Sequence, residues 1–154
     1  MDLVSLLTSE AVRVLPGATS KKRLFQELGE IMEAAHGRPC GPVFDALQDR
    51  ESLGPTGVGG GIALPHARLE DLDDVRGIFV KLEKPLDFDA VDRQPVDLVF
   101  ALFAPEDAGV DHLKALALVS RTMRDTGLCA KLRANDDPAT IYAILTDTQN
   151  TRAA

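Results

Sequence analysis

Residues 96–103 read V-D-L-V-F-A-L-F, an almost unbroken apolar run. An alternating strand can leave one face in water, but a continuous apolar strand must be covered on both faces. The chain carries amphipathic segments that can supply the cover. Leu24, Phe25, Leu28, Ile31, Met32 and Ala35 recur at a period near 3.6, which predicts a helix running to about residue 35. Thr19 or Ser20 can cap its start, and Gly37 suits a left-handed end. Pro42 fits the first turn of a shorter helix with Val43, Phe44 and Leu47 on its apolar face. Asp111 is placed to cap a helix starting at His112, with Leu113, Leu116, Val119 and Met123 turned inward. Residues 128–132 read as a further helical piece. Asp136 or Asp137 can cap a last helix that carries Pro138, Ile141, Tyr142 and Leu145.

Between these lie shorter segments. Residues 3–7 suit a helical turn, while 12–15, 62–64 and 75–82 read as strands. Residues 85–93 form a connection anchored by Phe88. Helices and strands alternate, so the fold class is α/β, a single-domain three-layer arrangement with helices on both faces of the sheet. A chain of 154 residues is long enough to bury one core unaided. Residues 1–147 form the expected domain, and 148–154 a loose, flexible C-terminal tail.

Charge and composition narrow the function classes. A net charge of −7 argues against nucleic acid and against anionic lipid as partners. The basic run Lys21, Lys22 and Arg23 reads as a solvated face. Cys40 and Cys129 are far apart and form no CxxC pair, as expected of thiols in a reducing compartment. Asp2 stands where a signal peptide would carry positive charge, and no apolar run approaches the length of a membrane span. A cytoplasmic location is expected.

Three histidines and one glycine-dense loop could carry chemistry. His36 sits at a helix C-terminus, where the helix dipole favours a cation, and reads as structural. His112 lies in a helix first turn, where free N–H groups favour anions. His66 follows the loop 54–61 and a short strand, at the expected carboxyl end of that strand, where α/β sheets collect their sites. Pro65 restricts the backbone just before it. On local context His66 reads equally as a polar loop residue or as a reactive group. The loop has no Lys-Ser/Thr after its last glycine, so it is not a Walker phosphate loop. It leads into a strand rather than a helix, the wrong order for a dinucleotide turn. Its glycine density predicts a tight, backbone-dominated connection rather than a strand. No short His or Cys spacing suggests a metal, and no GxSxG suggests a serine hydrolase.

Residues 50–66, R-E-S-L-G-P-T-G-V-G-G-G-I-A-L-P-H, closely resemble the active-site segment of IIA domains of the fructose/mannitol class of the bacterial phosphotransferase system. Residues 88–102 and 112–119 resemble the nitrogen-regulatory branch of that family. The resemblance runs collinearly over nearly the whole chain. It implies a mixed sheet of about five strands. It also implies that His66 is phosphorylated on its tele nitrogen by a small HPr-like phosphocarrier, with Arg50 and His112 lining the site and stabilising the phosphoryl group. No cofactor or metal is implied, because the donor is itself a phosphoprotein. The branch implies regulation of protein targets, such as potassium-transport components or sensor kinases, by phosphorylation-dependent binding. A sugar-specific IIA component passing phosphate to a IIB domain is the alternative.

Four positions depart from the family pattern. Pro55 replaces the usual Ser and removes a hydroxyl and an N–H from the loop. Gly60 replaces a common Asn, and Ala67-Arg68 stands where Gly-Lys is frequent. The chemistry suits these residues. A neutral imidazole is nucleophilic near pH 7, since its unperturbed pKa is about 6.5. Phosphoryl transfer needs in-line positioning and stabilisation of spread negative charge, which a guanidinium fork supplies.

Overall fold

The computed structural model describes residues 1–153 of the backbone, with side chains through Asp147. The chain runs α1 (Leu3–Leu6), a 3₁₀ turn at Ser9–Ala11, β1 (Val12–Leu15), α2 (Lys21–His36), α3 (Cys40–Glu51), β2 (Gly57–Gly59), β3 (Ile62–Ala63), β4 (His66–Leu69), β5 (Arg76–Leu86), β6 (Val96–Pro105), α4 (Val110–Met123), α5 (Thr126–Arg133) and α6 (Pro138–Ala153). The stretch 148–154, expected as a loose tail, lies outside the residues whose side chains are described.

The apolar run forms β6, and every residue from Leu98 to Ala104 is buried. Both faces of that strand are therefore covered. The sheet order is β1-β5-β6-β3-β2, with β4 also paired to β6. It is mixed: β5 runs antiparallel to β6, while β1 runs parallel to β5, and β3 and β4 run parallel to β6. Helices α2 and α3 pack on each other and reach β5 and β4; α4, α5 and α6 pack in succession and reach β6 and β1. Gly29 permits the close approach of α2 to α3, since a Cβ there would lie 2.8 Å from the Cys40 sulfur and 2.9 Å from its carbonyl oxygen.

The caps explain where the helices begin and end. Ser20 accepts a hydrogen bond from the Arg23 N–H, and Gly37 closes α2 at φ +70°. Asp137 caps α6 by accepting from the Ala139 N–H, which frees Asp136 for another partner. That partner is Lys81, which is 6 % exposed. Its ammonium donates to the Arg133 carbonyl at 2.8 Å, the Asn135 carbonyl at 2.7 Å and the Asp136 carboxylate at 2.9 Å. A cation from β5 thus satisfies the carbonyls at the α5 C-terminus. Lys81→Met is expected to lower the unfolding free energy by about 1–3 kcal/mol, because those carbonyls lose their donor. Urea unfolding measures this, and a loss below about 0.5 kcal/mol, the range of unremarkable surface changes, would contradict it.

Several details differ from the expectation. The glycine loop contains a strand after all: β2 pairs antiparallel with β3, with a register irregularity between Gly57 and Gly59. Gly59, Gly60 and Gly61 take φ of +98°, +67° and +79°, so glycine makes the hairpin possible rather than preventing it. β3 and β4 follow one register against β6, Ala63 beside Val99 and His66 beside Leu102, so they form one line of pairing broken at Leu64-Pro65. The sheet counts six strands instead of about five for that reason. Helix α4 starts at Val110 with Gly109 as its cap residue, so Asp111 lies in the first turn and caps nothing. The earlier start turns His112 inward and leaves Leu113 66 % exposed.

Lys21 is not part of a solvated face. It pairs with Glu51 at 3.0 Å and Asp89 at 3.2 Å, and lies 5.1 Å from the centre of the Phe88 ring. Lys22 and Arg23 are exposed. His36 reaches the Gly77 carbonyl through Nε2 at 3.3 Å, and burial lowers its pKa below the usual imidazole value. The cationic form expected at a helix C-terminus is therefore disfavoured.

Candidate functional site

His66 opens β4 rather than closing the strand before it. The interruption at Pro65, which has no N–H to give, lets the His66 ring turn back on its own backbone. Its Nδ1 lies 2.9 Å from the Leu64 carbonyl. A carbonyl only accepts, so Nδ1 carries the proton and the neutral ring keeps its lone pair on Nε2, the tele nitrogen. The Leu64 N–H in turn donates to the Thr56 carbonyl. The hairpin thus fixes the residue that orients the imidazole.

Arg50, in the last turn of α3, aims at that lone pair. Its Nε donates to His66 Nε2 at 3.3 Å, and its Nη1 to the Gly54 carbonyl at 3.1 Å. The neighbouring acid does not oppose it. Glu51 accepts from the Thr56 N–H at 3.0 Å and the Thr56 hydroxyl at 2.6 Å, and it pairs with Lys21. The adjacent Arg-Glu pair therefore divides its work: Arg50 faces His66, and Glu51 staples the start of the glycine loop to α2. Nothing in the residue spacing announces the Lys21–Glu51–Thr56 network; only the position of Glu51 just before the loop hints at it.

His112 completes the group. Its ring centre lies 5.7 Å from that of His66, the planes crossing at 76°. It is 8 % exposed, and its Nδ1 is buried without a hydrogen-bond partner. Burial, then the charges of His66 and Arg68, hold its pKa below the usual imidazole value. No side chain caps the start of α4, so the helix end beside His66 keeps its affinity for an anion. Arg68 spends one guanidinium nitrogen on the Glu106 carbonyl at 2.9 Å and the Ala108 carbonyl at 2.6 Å. It ties β4 to the loop that leads into α4, and so fixes the two histidines relative to each other. Pro55 is exposed.

The depressed pKa of His112 has a measurable consequence. In the unfolded chain the residue takes up a proton as pH falls through about 6.5; in the folded chain it does so only at lower pH. The folded state binds fewer protons in that interval, so stability falls as pH drops below about 6.5, by at most about 1.4 kcal/mol per pH unit from this residue. Urea unfolding at pH 7.5 and 5.5 should show the decline, and His112→Gln should shrink it. An identical slope in the variant would contradict the assignment.

The three residues singled out from the sequence, Arg50, His66 and His112, thus meet at one place. Arg50 touches His66, and His112 stands edge-on to it. Among the described residues no set of three His, Cys, Asp or Glu side chains could hold a metal. Among the described residues no helix is long and apolar enough to cross a membrane.

Known proteins with the same pattern were found at the level of family, relatives and fold. Residues 5–148 match the family described as phosphoenolpyruvate-dependent sugar phosphotransferase system, EIIA 2. The nitrogen regulatory protein of Bradyrhizobium diazoefficiens is 45 % identical over 145 residues, covering 94 % of this chain and 95 % of the relative. That of Escherichia coli is 42 % identical over 153 residues, covering 98 % and 93 %. The crystal structure of the nitrogen regulatory protein IIA-Ntr from Neisseria meningitidis superposes with a TM-score of 0.81 at 36 % identity, covering 89 % of this chain and 94 % of that one. A fold, a length and a near-complete collinear match agree: the chain belongs to the EIIA type-2 family of the phosphotransferase system, alongside its nitrogen regulatory proteins.

Proposed function

We propose that this chain is a regulatory phosphocarrier whose His66 accepts a phosphoryl group on Nε2 from a small HPr-like phosphoprotein in the cytoplasm. The observation that carries the reading is the bond from His66 Nδ1 to the Leu64 carbonyl. It fixes the tautomer and presents the Nε2 lone pair toward Arg50. In the transfer, Nε2 attacks phosphorus in line, the new N–P bond forms, and the bond to the donor's leaving atom breaks. The electron pair departs with the donor. Arg50 then turns its Nε from the spent lone pair to a phosphoryl oxygen. His112 and the uncapped start of α4 add further stabilisation.

A protein donor suits the surroundings of His66. Leu53 at the end of α3 is 83 % exposed, and Val110 and Leu113 on either side of His112 are 64 % and 66 % exposed. Exposed aliphatic side chains around a polar reactive centre favour contact with another protein surface. The phosphorylated and bare forms then differ by nearly two charges at this same surface. Target proteins, such as potassium-transport components or sensor kinases, read that difference. Residues 1–147 are the working unit in this reading.

The test is a pull-down from a lysate of the source cells with three baits: bare protein, phosphorylated protein and His66→Ala. A target retained by one phosphorylation state and by the matching control supports the reading. Identical retention in all states contradicts it. Transfer of the phosphate from His66 to a sugar-specific IIB protein, at a rate comparable to its acceptance, would assign the chain to sugar uptake instead.

A further inference from the structure

A second concave site lies behind the hairpin that orients His66. It is a cavity of about 310 Å³ between β2–β3, the end of α4 and the start of α5. That volume falls at the lower end of small-molecule sites. Its walls are mostly apolar: Ile62 and Leu64 from the β3 side, Met123 from α4 and Cys129 from α5. Cys129 is already satisfied, its S–H donating to the Met123 carbonyl at 3.3 Å.

Two arginines line the same cavity, and they differ in kind. Arg133 is held by an acid. It donates to Asp97 at 2.8 and 3.1 Å through Nε and at 2.8 Å through Nη2, and Nη2 also reaches the Gly60 carbonyl at 2.8 Å. Arg124, just past the end of α4, pairs with no acid among the described residues. Ser120 and Thr126 belong to the same lining. An apolar chamber lined by one arginine without an acidic partner and by two hydroxyl-bearing residues fits a small molecule with an apolar body and one anionic end.

We propose that this cavity binds a small monocarboxylic acid with an aliphatic or aromatic body, and that its occupancy regulates His66. The carboxylate meets Arg124, and the body lies on Ile62, Leu64, Met123 and Cys129. Leu64 provides the coupling. It lines the cavity, its carbonyl holds the Nδ1 proton of His66, and its N–H holds the Thr56 carbonyl. A ligand that displaces this wall weakens the hydrogen bond that sets the His66 tautomer. The coupling half rests on the phosphocarrier reading; the binding half does not.

The binding test uses the bare, full chain titrated with hexanoate and phenylacetate, followed by amide NMR. The expected result is saturable shifts centred on Leu64, Met123, Arg124 and Cys129. Hexanamide and phenylacetamide, which lack the charge, should bind at least tenfold more weakly, and Arg124→Gln should lose a similar factor for the acids. Ser120→Leu, which fills the cavity from the half-buried face of α4, should abolish binding. If Ser120→Leu does not fold, Arg124→Gln, whose side chain lies at the cavity's edge, carries the test alone. Non-saturating shifts, shifts centred elsewhere, or equal affinity for acid and amide overturn the site. The coupling test repeats single-turnover phosphorylation of His66 with the cavity saturated. A slowing of about three- to tenfold is expected. An unchanged rate with proven occupancy overturns the regulation while leaving the phosphocarrier reading intact, and failure of phosphorylation without ligand overturns that reading alone.

Discussion

His66→Ala is expected to abolish labelling by a phosphorylated HPr-like donor, with the fold intact. No other side chain at the site can take over. His112 is the one other imidazole within reach, yet it is 8 % exposed, with Nδ1 enclosed. Attack at the donor's phosphorus needs an accessible lone pair aligned with the leaving atom, and the Leu64 carbonyl leaves that lone pair on Nε2 of His66. The stability cost should be small. His66 is half-buried, and the substitution removes two hydrogen bonds, to the Leu64 carbonyl and from Arg50, each worth about 1 kcal/mol. Circular dichroism and the melting midpoint separate a dead site from a dead fold. Full labelling of a folded His66→Ala protein would remove His66 from the reaction.

Arg50→Ala is expected to slow phosphoryl acceptance by roughly tenfold to thousandfold, the range seen when one stabilising donor is lost, or about 1.4–4 kcal/mol of barrier. The guanidinium has two tasks that one atom cannot share. Nε faces His66 while Nη1 holds the Gly54 carbonyl at the mouth of the glycine loop. Arg50→Lys keeps the charge but not the fork, so its rate should fall between wild type and Arg50→Ala. His112→Ala is expected to slow transfer by about tenfold, since it removes one neutral donor rather than a fixed charge. Single-turnover labelling measures all three. Unchanged rates in Arg50→Ala and His112→Ala would remove both from the site.

The parts of the fold that were legible in the sequence are those fixed by local pattern. The run at Leu98–Ala104 has no polar face, so it could only be a strand covered on both sides. Helix α2 carries its period, its Ser20 cap and its Gly37 stop within the helix itself and its two flanking residues. β2 was hidden because its glycines lower strand propensity while their positive φ angles build the hairpin. β4 was hidden because four residues after a proline carry no periodicity, and its pairing with β6 is long-range. Lys21 reads as part of a solvated face because charge runs normally are; its partner Glu51 is distant in sequence.

The site was legible in a different way. Spacing alone does not bring Arg50 and His112 to His66; the family resemblance did, and the side-chain geometry places Arg50 at 3.3 Å and the His112 ring at 5.7 Å. Two chemical details came only from the structure. The Leu64 carbonyl sets the tautomer of His66, and Arg68 holds the β6–α4 loop.

The choice of nitrogen is the most exposed point of the account. Phosphorylation of the ¹⁵N-histidine-labelled full chain by a phosphorylated HPr-like donor, read by two-dimensional ¹H–¹⁵N correlation of the imidazole rings, measures it directly. The account predicts one phosphohistidine, at His66, with phosphorus on Nε2 and the proton retained on Nδ1. Phosphorus on Nδ1, or on His112 or His36, would contradict it.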